Sequence, residues 1–596
     1  MYLTAGSCLY NRLERLNNNL NRERRICCGV NSRLKETKKM KKIGKIVALT
    51  LSLMFASPFA ACGENGEKVD LSKSQLTIGY FNAGYGPEWM AEAERMFEEK
   101  FKDVELEPGK KGVQVWVNYG KDEYKGWNFV SAIQGREEDV YVGCELFYSL
   151  QNPNILMDLS KVVREPLTEF GETQSIYDKM TEEAKRACYW TEDETVPIFS
   201  TIFAESYFGQ LTYDIDLFET KGYYLAEDGG WTKGTEGARK KTVGFDGIEG
   251  TYDDGLPETE TQFFDLLTRI RSYGDIPLTW SGINSSYPIA FATQISVNYD
   301  DAKSQEIWRT GYGDYTLLHK NADGTYALDD EPTVFDGANN FYENARFPGK
   351  LAALRSVYRL IKDSNYYSSK AYGTTQTHIK AQNEFLTSVL KDQSVAMLIE
   401  GNWWETEASA IFQEMSNEDE KYSAQNRRFG VMPLFKPDGN TATKHTYMTG
   451  YSPIFVNART DTPELSKLFV KFLASDECLK MFTRVSGVPM GYNYELAEGT
   501  YENLTCYKKQ VWDIHVDKYD THILTSENRT EHPMFKINAS DYPYAFSSNV
   551  NDPKSTTDPI SDPFSFFKTD LTGKTAEDYF DGMWTYAKLI AAKYGK

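Results

Sequence analysis

The chain has 596 residues and a formal net charge of −20. Residues 1–61 carry twelve Lys/Arg and three Asp/Glu, leaving 54 basic against 83 acidic side chains, so everything after residue 61 sits near −29. That balance argues against nucleic acid as a partner, because binding it begins with neutralising phosphates, and describes a solvated acidic surface that still leaves a cationic ligand open.

The elements follow in chain order. Residues 1–39 are rich in Asn and Arg without apolar periodicity, and read as an upstream extension that cannot bury a core, with Met40 as the natural start. Residues 40–61 open with "MKKIGK" and continue into an apolar run, Ile46 to Ala56, of eleven residues. A bilayer span needs about twenty, so this segment is too short to cross and stay. A positive start, a short apolar stretch and the small residues of "ASPFAAC" make a secretory signal, and "FAAC" resembles the bacterial lipobox, with Phe59 where leucine is usual. Cys62 is then the expected lipidation site and first mature residue, against an ordinary signal peptide cut nearby or an uncleaved anchor. Residues 62–73 are a polar tether.

The pattern turns to folded structure at "QLTIGYFN", a strand, followed by a helix whose Trp89, Ala93, Met96, Phe97 and Phe101 share one face. Val113, Val115 and Val117 alternate as a second strand. Strand, helix and strand in succession imply a parallel sheet, whose ligand loops stand at the strand C-terminal ends. "EEDVYVGCELFY" supplies a third strand, and "VPIFSTIFAESYFGQLTYDIDLFETKGYYL" two strand-like runs before a turn and a short helix. "PETETQFFDLLTRIRSYGDIPLTWSG" reads as a capped helix with Phe263, Phe264, Leu267 and Ile270 inward, then a strand. "AQNEFLTSVLKDQSVAMLIEGNWWETEA" gives helix, strand and aromatic loop; the segment from Phe429 to Met490 gives strand, loop, strand and one long helix. Residues 225–256 and 300–349 read as polar surface insertions, 549–565 as an extended crossing segment, and "TAEDYFDGMWTYAKLIAA" as a C-terminal helix.

The eight cysteines show no CxxC, the six histidines no HExxH, and no GxxxxGK[ST], GxGxxG or GxSxG occurs, so neither a metal nor a cofactor is expected. Cys144, Cys188, Cys478 and Cys506 read as buried small residues rather than a disulfide framework, although an exported location permits a bridge.

Six motifs in order resemble the extracellular solute-binding proteins of bacterial carbohydrate ABC transporters, the maltose-binding-like family, over most of residues 74–596. "EEDVYVG" is similar to the family's "PDV" strand, with Glu138 in place of proline, and "ILMDLSKVV" to its "DLT" segment. "VPIFSTIFAESYFGQLTYDIDLFETKGY" is similar to the hinge-crossing block, with Asp214 where Asn is usual, and "PETETQFFDLLTRI" to the family's helix start, lacking its Trp. "AQNEFLTSVLKDQSVAMLIEGNWW" and "TPELSKLFVKFLASDECLKMFTRVSGVPM" complete the series.

The resemblance implies an α/β, two-lobed periplasmic-binding-protein-like fold (type II), its lobes joined by crossing hinge strands near Val196–Phe203 and Tyr447–Ser452. Lobe one would take residues 74–197 with about 450–490, and lobe two 198–449 with about 491–596. It further implies a monomeric, non-enzymatic receptor, lipid-anchored on the outer face of the cell membrane, that delivers a carbohydrate, expected to be an oligosaccharide, to ABC permease subunits. A receptor for a cationic or peptide-like solute, a surface glycoside hydrolase and an interaction lipoprotein are the alternatives.

A sugar needs flat aromatic platforms edged by donors and acceptors. Aromatic and polar residues in loops at strand ends are therefore the expected ligand-binding set: Tyr85, Glu88, Asn118, Tyr119, Glu145, Trp280, Asn284, Trp403, Trp404, Tyr447 and Tyr451. Trp403 aligns with the tryptophan of the family's "GSW"; Trp89 belongs to the helix stripe and is expected in the core.

Overall fold

The computed structural model describes residues 68–596 apart from 145–151, 188–196, 439–444 and parts of 122–137, 301–310, 519–572 and 594–596. The signal segment and Cys62 therefore lie outside the described residues, as do Cys188 and most of the segment 549–565. Among the described residues no helix is long and apolar enough to cross a membrane. Cys144 and Cys478 are buried, and Cys506 is partly so.

One nine-stranded sheet organises Asp70–Lys596. Its strands are β1 (Ser74–Phe81), β2 (Val113–Gly120), β3 (Val140–Val142), β4 (Thr201–Asp214), β5 (Ile276–Thr279), β6 (Val395–Gly401), β7 (Phe429–Met432), β8 (Thr446–Val456) and β9 (His522–Thr525). The order is β2-β1-β3-β8-β4-β6-β5, with β7 on β4 and β9 on β8. β1 runs parallel to β2 and β3, as the strand–helix–strand pattern requires, with Ile78 opposite Val117 and Val140. α1 (Glu88–Phe101) covers this half, burying Trp89, Met90, Ala93, Phe97 and Phe101.

Cores form at both ends of the sheet. The first gathers residues from Leu76 to Ala204 and from Tyr451 to Tyr492; Trp89 is fully buried there, stacked on Phe203 at 5.2 Å and bonded through its indole N–H to the Tyr80 hydroxyl at 2.8 Å. The second draws on residues from Leu211 to Phe435 and from Phe546 to Ala587, and a third cluster, which includes Tyr207, Trp404, Tyr447 and Tyr507, adjoins it. β4 gives Ile202, Phe203 and Ala204 to the first core and Leu211 and Tyr213 to the second, so it crosses between them; β8 crosses back between Tyr447 and Tyr451. The two strands pair antiparallel, from Thr449 opposite Tyr207 to Ile454 opposite Thr201.

Two strand-like runs expected around residues 196–214 are thus one fourteen-residue strand. Gly209 has φ +77°, and a Cβ there would lie 2.4 Å from the Ala290 carbonyl carbon. The strand bulges at this glycine, and the helix Ser286–Tyr299 packs against it. The expected long helix after Thr462 is likewise two, Pro463–Leu473 and Asp476–Ser486, because Ser475 is extended and starts a new helix.

The remaining helices used below are α2 (Glu260–Ser272), α3 (Ser286–Tyr299), α4 (Pro348–Lys362), α5 (His378–Thr387) and α6 (Trp404–Glu407). α2 starts on a capping box between Thr259 and Gln262 and buries Phe263, Phe264, Leu266, Leu267 and Ile270. The first insertion is pinned by a short hairpin, Tyr224–Leu225 with Trp231–Thr232; in the second, the antiparallel pair Tyr312–Tyr315 with Thr333–Asp336 encloses the hairpin Leu318–Lys320 with Tyr326–Leu328.

Candidate functional site

The loops that follow β1 and β6 meet. The first loop runs from Asn82 to Pro87, and Trp403 stands two residues past Gly401, the last residue of β6. A Cβ on Gly84 would fall 1.9 Å from Cδ1 of Trp403, and one on Gly401 would fall 2.3 Å from its Cη2. Only hydrogen fits on either side, so two glycines let the indole lie flat between loops from the two ends of the sheet. Phe208 of β4 packs on Trp403 at 5.5 Å and Tyr85 meets it edge-on at 6.1 Å. Trp403 stays half-buried. Tyr85 is buried, its hydroxyl paired with Ser206 Oγ on β4 and its ring against Phe203 and Phe482.

A polar cluster adjoins this indole. Glu407, one helical turn beyond Trp403, pairs with His378 Nε2 at 3.2 Å and accepts a hydrogen bond from Gln382 Nε2 at 2.8 Å. The same Gln382 amide donates to Glu400 at 3.2 Å, and Asn284 Nδ2 lies 3.2 Å from His378 Nδ1. Tyr287 stacks over the His378 imidazole and its ring meets Phe208 at 4.8 Å. Burial, with the Glu407 charge beside it, pushes the Glu400 carboxyl well above the usual range. Burial acts on Glu407 in the same direction, but the hydrogen bonds and charge of His378, with Gln382 and Lys121, outweigh it and hold that carboxyl below its usual range. A carboxyl that holds its proton more tightly than usual therefore stands beside one that releases it more readily, with the exposed Lys121, just past β2, adding its charge.

The expected ligand residues divide. Tyr85 and Trp403 touch, and Asn284 joins the cluster through His378. Glu88 is exposed at the start of α1, its carboxylate folded over Gly86, and Tyr119 is 36% exposed near the end of β2. Asn118 is committed to Glu138, which also accepts from the Tyr124 and Tyr141 hydroxyls. Tyr451 is buried on β8 beside Glu205. Glu145 lies outside the described residues.

Three residues are corrected. Trp404 has no exposed surface, enclosed by Phe385, Phe412, Phe429 and Tyr507; Trp280 is closed in by Tyr367, Tyr372 and Phe564; Tyr447 is buried, bonded to the Tyr252 hydroxyl at 3.0 Å. What closes each differs: residues of three helices and one strand cover Trp404, the Tyr367–Tyr372 segment and Phe564 cover Trp280, and Tyr207, Tyr252 and His445 cover Tyr447. Glu407 and His378 escaped the sequence reading. The signal for Glu407 was present in "EGNWWETEA", where it stands four residues after Trp403 and so on the same helix face.

A second network stands between the crossing strands. Glu205 of β4 accepts from the Tyr207 hydroxyl at 3.0 Å and pairs with His515 Nδ1 at 2.5 Å, while His515 Nε2 lies 3.1 Å from the Tyr492 carbonyl. Asn402 clamps β4 from the Trp403 loop, donating to the Glu205 carbonyl and accepting from the Tyr207 N–H.

No protein-family model matches the chain, and no curated protein matches it. Solved structures do. A chitin oligosaccharide binding protein aligns over 87% of this chain and 100% of its own length, at 14% identity and a TM-score of 0.51. A structure concerned with xylan utilization by the thermophilic bacterium Caldanaerobius polysaccharolyticus aligns over 87% and 99%, at 11% identity and a TM-score of 0.50. At such identities the likeness is one of fold: the chain has the two-lobed α/β architecture of solute-binding proteins.

Proposed function

We propose that this chain is the carbohydrate receptor of an ABC importer, holding an oligosaccharide in the cleft beside Trp403 and delivering it to permease subunits without turnover. The observation that carries the reading is the meeting of the Gly84 loop with Trp403, beside a charged Glu407, a neutral Glu400 and His378. An aromatic cluster bordered by acceptors and donors suits the C–H groups and hydroxyl rim of a sugar. The fold neighbour whose name records chitin oligosaccharide binding supports the same ligand class.

Tyr85, Glu88, Tyr119, Asn284 and Trp403 are proposed as the ligand set, with Glu407 and His378 added. Glu145 keeps its sequence-based assignment. The lobe boundaries are those read from the sequence, with Ile198–Ala204 moved to lobe one because Ile198, Ile202, Phe203 and Ala204 share its core. Cys62 is proposed to carry the lipid that keeps the receptor at the cell surface near its permease. Closure about β4 and β8 would present the loaded receptor, since a ligand touching both lobes stabilises the closed state.

Thermal unfolding of the purified chain against mono- and oligosaccharides, polyamines and peptides tests the proposal. A saccharide at a hundredfold excess over its Kd adds about 2.7 kcal/mol of stability. A panel in which polyamines raise the transition and saccharides never do overturns the carbohydrate claim, and measurable hydrolysis of a bound glycan overturns the claim of binding without turnover.

A further inference from the structure

We propose that the groove between the Tyr224–Thr232 hairpin and α2 is a second binding site, for a carboxylate-bearing saccharide. The inner face of α2 is spent on the second core, and its outer face looks toward the hairpin. Between them lie two adjoining depressions of about 490 and 550 Å³, and Trp231 and Arg269 line both.

The charge of the smaller depression opposes that of the protein. In a chain with twenty more acidic than basic residues, it is lined by Lys233, Arg239 and Arg269 and, among the described residues, by no carboxylate. Lys233 and Arg239 are exposed, and Arg239 is matched only loosely, by Asp228 at 3.5 Å with both side chains in solvent. Arg269 differs. Its guanidinium lies over the Tyr273 ring at 4.4 Å and 5.7 Å from the Trp231 centroid, so it is held against two aromatic rings. Its Nε is buried with no hydrogen-bond partner among the described residues. A planar guanidinium held in place by its neighbours is suited to a carboxylate, which accepts two parallel N–H bonds.

The larger depression supplies what the rest of a sugar needs. Trp231 gives a partly exposed ring, Gln262 an amide and Asp265 an exposed carboxylate, while Thr242 Oγ1 is a second buried atom without a partner. A charged sugar ring over the cations, continuing into a neutral one beside Trp231, satisfies both halves.

This groove is separate from the cleft. Arg269 is in the last turn of α2, which leads within a few residues to Ile276, the start of β5. Ile276 pairs with Val395, the first residue of β6, whereas Trp403 follows the last. The groove therefore lies at the opposite end of these strands from Trp403, and the inference does not depend on what the cleft binds.

The test is equilibrium binding of oligogalacturonate, its fully methyl-esterified form and inorganic phosphate to the full chain, with Arg269→Gln, the exposed pair Lys233→Gln/Arg239→Gln, and Trp403→Ala. The acid form is expected to bind, more weakly at higher salt. Esterification, Arg269→Gln and the exposed pair should each weaken it by about tenfold or more, while Trp403→Ala leaves it within about twofold. Should Arg269→Gln unfold, the exposed pair decides, since those side chains support no core. Absence of binding, equal binding of the ester, displacement by phosphate at matched concentration, or loss on Trp403→Ala with Arg269→Gln unaffected would each overturn the proposal.

Discussion

Gly84 and Trp403 stand so close that a single methyl group on the glycine would lie 1.9 Å from the indole. Loops from the two lobes thus meet over a glycine, and the indole's position is set as much by the absence of a side chain opposite as by the rings around it. Gly84→Ala must displace Trp403 or the first loop. Overpacking of this kind costs about 1–3 kcal/mol, so urea unfolding should shift by that amount, together with a change in tryptophan emission. An alanine variant with unaltered stability and emission would mean that the two loops do not pack this way in solution.

Adjacent tryptophans should respond oppositely to removal. Trp404 is fully enclosed, and Trp404→Ala should destabilise the fold by about 3–5 kcal/mol, as deletion of a buried aromatic does. Trp403→Ala should cost much less stability while abolishing the ligand-induced rise in the thermal transition. Denaturation and ligand titration on the same two variants separate the roles; a shared profile contradicts the assignment.

Glu205 and His515 form a buried pair beside both crossing strands, each nearly closed to solvent. His515→Ala leaves a buried carboxylate with tyrosine donors only, and loss of one partner from such a pair costs about 3–5 kcal/mol. Replacing both by Gln and Leu should cost less than the sum of the single changes, which a double-mutant cycle measures. Additive losses would show that the pair does not act as a unit.

Glu400 gives the stability a pH dependence of defined sign. Its carboxyl stays protonated in the folded protein, pushed up by burial and by Glu407, whereas in the unfolded chain it ionises near its ordinary value. Above that value the native state binds the extra proton, so this residue's contribution falls as pH rises, by at most about 1.4 kcal/mol per pH unit. Glu400→Gln keeps the neutral shape and removes the titration. The stability of the variant relative to the original should therefore rise steadily from about pH 5 to pH 8 in denaturant unfolding. A difference that stays constant across that range would place an ionised Glu400 in the native state.

Local pattern carried much of the fold. Alternating valines made β2, the stripe from Trp89 to Phe101 made α1, and Thr259 with Gln262 marked the start of α2, because each feature depends on spacing along a single element. α3 was not legible. It is buried nearly all round, with Gln294 and Asn298 hydrogen-bonded to the Thr446 carbonyl, so it presents no apolar stripe against a polar one.

Side-chain fate at the strand ends was settled by what packs on each residue. Trp403 and Trp404 are neighbours in one motif, yet Phe385, Phe412, Phe429 and Tyr507 close over the second while Gly84 and Gly401 leave a slot for the first. His378 and Glu407 are 29 positions apart and acquire meaning only when α5 and α6 bring them to 3.2 Å. Sequence by itself determined the alternation of strands and helices, the order of motifs and the acidic character, since these are properties of residues and their near neighbours. Only the tertiary structure decided which aromatic rings remain open and which carboxyl keeps its proton, because both depend on desolvation and on charges contributed by segments far apart in the chain.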